Sequence, residues 1–254
     1  MKNQINTFKE IFKEWKIIRA IKKGELNFAI QFIRDVQNWR EGEKDTKCEV
    51  LARLNLDGEK INPEELIRIL KKKNKYHYLT RTIIQKSFKY MDQHKEIKEF
   101  SINLNMSDIH NQQTIYYLTQ QIENYNLGQR LVIELTEDEE LTKEIELTKS
   151  VLKSLRSFGC KIALDDFGKG YATFDPLVNL KFDYIKLDKV LTENFLSNQH
   201  KFYIINLLSE YAKRLNMQIV AEFIEDDEEY KSIKYIDIDY AQGWGIHKET
   251  LIVN

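Results

Sequence analysis

The chain has 254 residues, 42% hydrophobic and 31% charged, a length that suits one closed α/β barrel of ~200–250 residues and supplies ample material for a core. Its 39 Lys and Arg against 40 Asp and Glu leave a formal net charge of -1, which argues against a binder of DNA or RNA polymers. The 2 prolines and 9 glycines argue against a disordered chain or a turn-dense β-sandwich. No apolar run approaches the ~18 residues of a membrane span, so no transmembrane segment is expected. The opening MKNQINTFKEIFKEW lacks the uninterrupted apolar stretch of a secretory signal. Cys48 and Cys160 read as small buried reduced thiols. A cytoplasmic globular protein is the expectation.

Residues 4–22 form the first predicted element, an amphipathic helix with Ile5, Phe8, Ile11, Phe12, Trp15, Ile18 and Ile21 on its apolar side. It either packs on the domain that follows or acts as a connector or dimerising helix from an upstream sensory or signalling module. The chain is divided accordingly into a helix over 1–24 and a barrel domain over 25–254. Short apolar runs predict strands at 28–33, 48–54, 100–104, 131–134, 161–164, 184–187, 218–221 and 236–241. Helical periodicity lies between them. One helix over 63–73 has Asn62 as N-cap and Pro63 at its first position. A second over 141–157 stops at Gly159, and a third covers 194–216. Eight strands interleaved with helices predict an α/β fold, a (β/α)8 TIM-like barrel; an open doubly wound sheet is the competing arrangement.

The chemistry is written where the strands end. Glu134 follows one apolar run, Asp165 and Asp166 the next, and Glu222 a later one; Lys186 lies within a strand and Gln242 ends the last. Glu49 and Asn103 lie in the second and third strands. In a barrel, residues at the carboxyl ends of strands meet at one mouth. Converging carboxylates repel unless several are protonated or a divalent cation neutralises them, and oxygen donors without histidine or cysteine suit Mg2+ or Mn2+. Adjacent Asp165 and Asp166 suit a two-ion site, with the ions ~3.5–4 Å apart on a phosphoryl group. Asn103 offers a neutral amide oxygen, and Lys186 offers charge stabilisation or a hold on an attacking water. Glu49, Leu51 and Arg53 share one strand face, placing an acid, an apolar spacer and a phosphate-reading arginine on one wall. Glu137, three residues past Glu134, is assigned to holding the Asp-Asp loop.

These residues resemble the EAL-domain phosphodiesterases that hydrolyse cyclic di-GMP. The likeness runs through EVLAR (49–53 holding Glu49-Val50-Leu51), INPEEL, SINLN, ELTE, DDFGKGYATF, DYIKLD, VAEFIE and AQGW in order, over about residues 25–248. The resemblance implies an EAL-type barrel whose first strand is antiparallel. It implies that Glu49, Asn103, Glu134 and Asp165 hold one ion and that Asp165 and Asp166 hold a second. Glu222 is then a ligand or general base, and Lys186 contacts the nucleophilic water. Gln31, Leu51, Arg53 and Gln242 meet the substrate, and Glu137 and Glu225 support the metal site and its loop. The implied reaction is metal-dependent hydrolysis of cyclic di-GMP to the linear pGpG, with Mg2+ or Mn2+ as cofactor and a homodimer as the assembly. The alternative is a catalytically impaired receptor for the same dinucleotide, acting on a protein partner. The chain departs from the family pattern at Val50, Phe32 and above all Phe223, which stands where the family has glycine. A side chain there is expected to shift the backbone or change how closely substrate approaches.

Overall fold

The computed structural model describes residues 2–136, 144–169 and 174–253, with side chains from Glu10 onward. Helix α1 (Lys2–Lys22) leads into the strands β1 (Asn27–Asp35) and β2 (Lys47–Leu56). Strand β3 (Glu59–Ile61) folds back on β2 before helices α2 (Pro63–Lys72) and α3 (Tyr76–Gln93). Next come β4 (Glu99–Leu104), α4 (Met106–Ile109), α5 (Gln112–Tyr125), β5 (Leu131–Thr136), α6 (Ile145–Ser157), β6 (Lys161–Phe167) and α7 (Asp175–Asn179). The chain then passes through β7 (Tyr184–Leu187), α8 (Lys189–Thr192), α9 (Gln199–Arg214), β8 (Gln218–Ala221) and α10 (Asp227–Ile233). It finishes in β9 (Tyr240–Ala241) and β10 (Thr250–Ile252).

Eight of these strands close a ring in the order β1, β2, β4, β5, β6, β7, β8, β9 and back to β1. Neighbours from β2 round to β9 are parallel, whereas β1 is antiparallel to both of its partners. The closed ring replaces the open-sheet alternative. The reversal of β1 has a local cause. Residues 36–46 hold no helix, and a connection without a crossover helix joins strands antiparallel. Strands β3 and β10, which the periodicity does not predict, lie outside the ring and extend β2 and β1.

Two predicted elements are corrected. The last ring strand covers only Tyr240–Ala241: Lys234–Ile236 forms a 3-10 turn and Asp237 takes a left-handed conformation at φ 56°. Ile236 and Ile238 are buried without being paired in a strand. The predicted 194–216 helix is broken where Asn198 caps α9, accepting hydrogen bonds from the backbone of His200 and Lys201. The predicted start of the 141–157 helix at residues 141–143 lies outside the described residues. Asn62 caps α2 as expected, accepting from Glu64 N at 2.8 Å.

Helix α1 packs on α2, α3 and β2, but through Ile17, Ala20 and Ile21, not through the whole predicted stripe. Ile11, Phe12 and Trp15 stay more than half exposed, with the two rings stacked. Ion pairs Lys13–Glu65, Lys16–Asp57 and Glu14 to Lys72 and Lys73 pin the packed side. Among the described residues, no helix is long and apolar enough to cross a membrane.

The barrel interior is layered. Ile33, Val132, Ala163, Tyr184, Val220 and Tyr240 form one apolar layer. Beside it Glu99 accepts from Lys47 Nζ and Tyr184 Oη, both at 2.7 Å, and pairs with Lys161. On the other side, at the carboxyl ends of the parallel strands, the lining turns acidic.

One buried acid lies apart from that end. Asp108 in α4 accepts from Thr80 Oγ1 at 2.8 Å and closes a capping box with Asn105. Burial lifts its pKa to about 6, despite these hydrogen bonds. An acid more readily protonated in the fold than in the unfolded chain stabilises the fold below its unfolded pKa of ~3.9. That contribution is lost as the pH rises through the folded value. Wild type is therefore expected to lose roughly 2–3 kcal/mol between pH 4 and pH 7 relative to Asp108→Asn. Urea unfolding of both proteins across that range measures it, and parallel pH profiles would contradict it.

Candidate functional site

Glu49 from the first residues of β2, Glu134 in β5, Asp165 in β6 and Glu222 just past β8 meet around a single ammonium. Lys186 projects from β7 and is 1% exposed. Its Nζ lies 3.2 Å from Glu49 Oε2, 2.9 Å from Glu134 Oε2, 3.0 Å from Asp165 Oδ1 and 3.0 Å from Glu222 Oε1. Such burial is costly for a lone charge and tolerable here only because opposite charges face it on every side. Asn103 Nδ2 donates to Glu49 Oε1 at 2.7 Å. Gln242 Nε2 donates to Glu49 Oε2 at 2.8 Å and to Gln31 Oε1 at 3.1 Å, and Gln31 Nε2 donates to the His247 carbonyl. Glu49 thus sits at the end of an amide chain that fixes both of its oxygens.

Four carboxylates against one ammonium cannot all ionise at ordinary pKa values. Burial, with repulsion from Glu49 next, drives Glu134 well above the usual carboxylate range. Burial also raises Asp165, and it lifts Glu222 to about 8 against the pull of Lys186. For Glu49 burial is outweighed by Lys186 and by the Gln242 and Asn103 hydrogen bonds, which hold it below its ordinary value. Lys186 is pushed upward because its carboxylate neighbours, Asp165 and Glu134 foremost, overcome desolvation. The cluster thus favours the charged forms of Glu49 and Lys186 and the protonated forms of the other acids, which titrate as a coupled set.

The remaining predicted residues are arranged around this cluster with varying closeness. Asp166 borders the same cavity, but its backbone is left-handed at φ 57° and its carboxylate pairs with Lys169 at 3.3 Å. A cavity of ≈ 360 Å³ opens over the cluster, bounded by Gln31, Glu49, Leu51, Asp165, Asp166 and Glu222, with Phe223, Glu225 and Trp244 also on its wall. A second lobe of ≈ 220 Å³ shares Leu51, Asp165 and Asp166 and adds Arg53, Lys71 and Asn103. Glu225 is exposed and does not reach Lys186. Glu137 lies outside the described residues.

Three features escape sequence reasoning. Arg53 is engaged by Glu249, whose carboxylate accepts from its Nε at 3.2 and 3.1 Å. Thr192 Oγ1 donates to the Glu222 carbonyl at 2.7 Å and anchors that turn. Gly243 must be glycine, since a Cβ there would lie 2.1 Å from the Ile224 carbonyl oxygen; the glycine of AQGW is the only sequence signal for it.

The donor set fits Mg2+ or Mn2+. Every group is a hard oxygen donor, negative charge exceeds positive, and the buried Gln242 Oε1 has no hydrogen-bond partner. The carboxylates are, however, gathered on the ammonium: among the described residues no three acids, histidines or cysteines form a ready cage for an ion. Ion uptake therefore requires carboxylates to turn from Lys186 towards the cavity.

Sequence comparison places these residues in a known context. A profile of the EAL domain matches residues 16–249. The chain belongs to the EAL domain family. It is 28% identical over 253 residues to the cyclic di-GMP phosphodiesterase PdeA of Borreliella burgdorferi, covering 98% of this chain and 36% of that protein. It is 26% identical over 215 residues to the cyclic di-GMP phosphodiesterase PdeF of Escherichia coli K12, covering 83% of this chain and 29% of that one. The EAL domain thus spans about a third of the length of these curated relatives. Its fold matches the FimX EAL domain of Xanthomonas citri, solved in complex with c-diGMP, with a TM-score of 0.86 at 18% identity over 98% of both chains.

Proposed function

We propose that this EAL domain hydrolyses cyclic di-GMP to pGpG with two Mg2+ or Mn2+ ions bound at the mouth of the barrel. The observation that carries the proposal is the convergence of Glu49, Glu134, Asp165 and Glu222 on Lys186 in a member of this family. Glu49, Asn103, Glu134 and Asp165 are proposed to hold one ion, and Asp165 with Asp166 the other. Such ions supply a low-pKa water and neutralise charge on a transferring phosphoryl group. They also reconcile an acidic mouth with a dianionic dinucleotide.

The chain's own residues carry the remaining work. Lys186, buried on β7, presents a positive charge beside the place of attack. Glu222, whose carboxylate reaches Lys186 Nζ at 3.0 Å beside Asp165, is placed to accept and return a proton at the place of attack. Gln31, Leu51 and Gln242 line the larger cavity and Arg53 the adjoining lobe, where they are proposed to hold the dinucleotide. Arg53 must exchange Glu249 for a substrate oxygen to do so. Glu225, on the cavity wall, is assigned to supporting the ion site. A cytoplasmic location, a homodimer and an upstream signalling module that engages the exposed Ile11, Phe12 and Trp15 of α1 belong to the same proposal. Separating the products after incubation with cyclic di-GMP and Mg2+ or Mn2+ tests it: pGpG supports hydrolysis, and bound, intact dinucleotide supports the receptor alternative.

A further inference from the structure

We infer that Phe223 is a stacking platform for a purine base, so that this domain grips a base of its substrate with an aromatic ring where its family has glycine. The inference rests on the cyclic di-GMP reading of the site and adds a residue to it.

The backbone supplies the first observation. Phe223 has φ 58°, in the left-handed region that glycine enters freely and a bulky side chain enters only at a cost. It follows Glu222, whose carboxylate faces Lys186, and precedes the buried Ile224. The turn is fixed on both sides: the Glu222 carbonyl accepts from Thr192 Oγ1, and Ile224 N donates to the Gln242 carbonyl. Phe223 therefore sits in a left-handed turn that the hydrogen bonds of its neighbours hold on both sides.

The side chain supplies the second. The ring is 45% exposed and joins no core cluster. Among the described residues its cation contact is Lys189, whose Nζ lies 5.6 Å from the ring centroid. The fold thus recovers little from a large apolar group held in a strained backbone. Strained backbone under a bulky side chain concentrates at functional sites.

Location supplies the third. Phe223 lines the ≈ 360 Å³ cavity together with Glu49, Asp165 and Glu222, and Trp244 is on the same wall, 67% exposed. A flat ring beside an acidic centre suits a ligand with a flat π-face at one end and phosphates at the other. A nucleotide base stacked on an aromatic side chain gains affinity irrespective of its hydrogen-bonding edge. Lys189 adds a positive charge at the ring, suited to a phosphate carried by that nucleotide.

The test compares wild type with Phe223→Gly, Phe223→Leu and Phe223→Trp. Equilibrium dialysis of cyclic di-GMP with Ca2+ as the ion gives Kd; product chromatography with Mn2+ gives kcat and KM. The glycine and leucine variants are expected to raise Kd and KM on the order of ten-fold, with kcat within about two-fold of wild type. The tryptophan variant is expected to keep wild-type affinity. Glycine is at ease in a left-handed backbone, so Phe223→Gly is expected to melt no lower than wild type. Unchanged or tighter binding by Phe223→Gly, or full affinity in Phe223→Leu, overturns the stacking role while leaving the hydrolase reading in place. Wild type that neither binds nor cleaves cyclic di-GMP overturns the functional reading, and the inference with it.

Discussion

Glu49→Ala is expected to lower turnover of cyclic di-GMP on the order of 10³-fold or more, with little change in the far-UV spectrum or melting temperature. Glu49 is the acid whose charge the site protects most: Asn103 and Gln242 occupy its oxygens, and Lys186 balances it. A proposed ion ligand whose charge, after burial, also helps raise Glu134, Asp165 and Glu222 acts on every later step, so its removal is expected to be felt in kcat. Stability is spared because the lost hydrogen bonds are offset by relief of repulsion among the acids that remain, and the vacated space opens to the cavity. Steady-state kinetics with chromatographic detection of product measure the effect. Activity within ten-fold of wild type would remove Glu49 from the proposed ion site.

Lys186→Met carries the largest expected effect on stability. Without the ammonium, Glu49, Glu134, Asp165 and Glu222 face one another with no internal cation. Breaking a buried charge network from one side costs about 3–5 kcal/mol, or roughly 10 °C in melting temperature for a chain of this size. The loss has a definite pH dependence. Ionising the acids becomes harder, so their pKa values rise further. The variant is then hurt most near pH 8, where the unfolded chain is fully ionised, and least near pH 5, where the cluster holds its protons. Millimolar Mn2+ is expected to restore more stability to the chelator-treated variant than to wild type, because a divalent ion replaces the missing charge. Differential scanning calorimetry at the two pH values, with and without Mn2+, gives all four numbers. Equal melting temperatures for variant and wild type in chelator at pH 8 would show that Lys186 does not hold the acids together.

Much of this architecture is legible in the chain because the barrel strands are short apolar runs that end in chemistry. The run at 161–164 passes directly into Asp165 and Asp166, and that at 218–221 into Glu222, so the acids declare their end of the barrel. Where a run has other reasons to be apolar, the pattern misleads. Ile236, Ile238 and Tyr240 alternate as a strand should, yet the two isoleucines are buried by packing while Asp237 turns the backbone left-handed. Among the described side chains of α1, the largest apolar ones, Phe12 and Trp15, are on the exposed side, and the smaller Ile17, Ala20 and Ile21 make the packing. Side-chain size on a helix reports affinity for a surface without saying which surface.

The site divides in the same way. Residue types at strand ends identify its chemistry. The convergence of four distant acids on one lysine depends on register around the closed ring, which no local pattern encodes. Glu249 against Arg53 is a further case, since its placement depends on β10 pairing with β1. For Phe223 the sequence shows only a bulky residue where a glycine is expected; that it keeps a left-handed backbone and faces the cavity required the fold.

Hydrolysis of cyclic di-GMP can be measured directly. Purified protein is incubated with cyclic di-GMP in Mg2+ or Mn2+, beside a chelator-treated control, and the nucleotides are separated by chromatography. Metal-dependent conversion to pGpG is expected, with an unaltered dinucleotide in the control. Tight binding of cyclic di-GMP that remains intact with either ion would contradict it and establish a receptor instead.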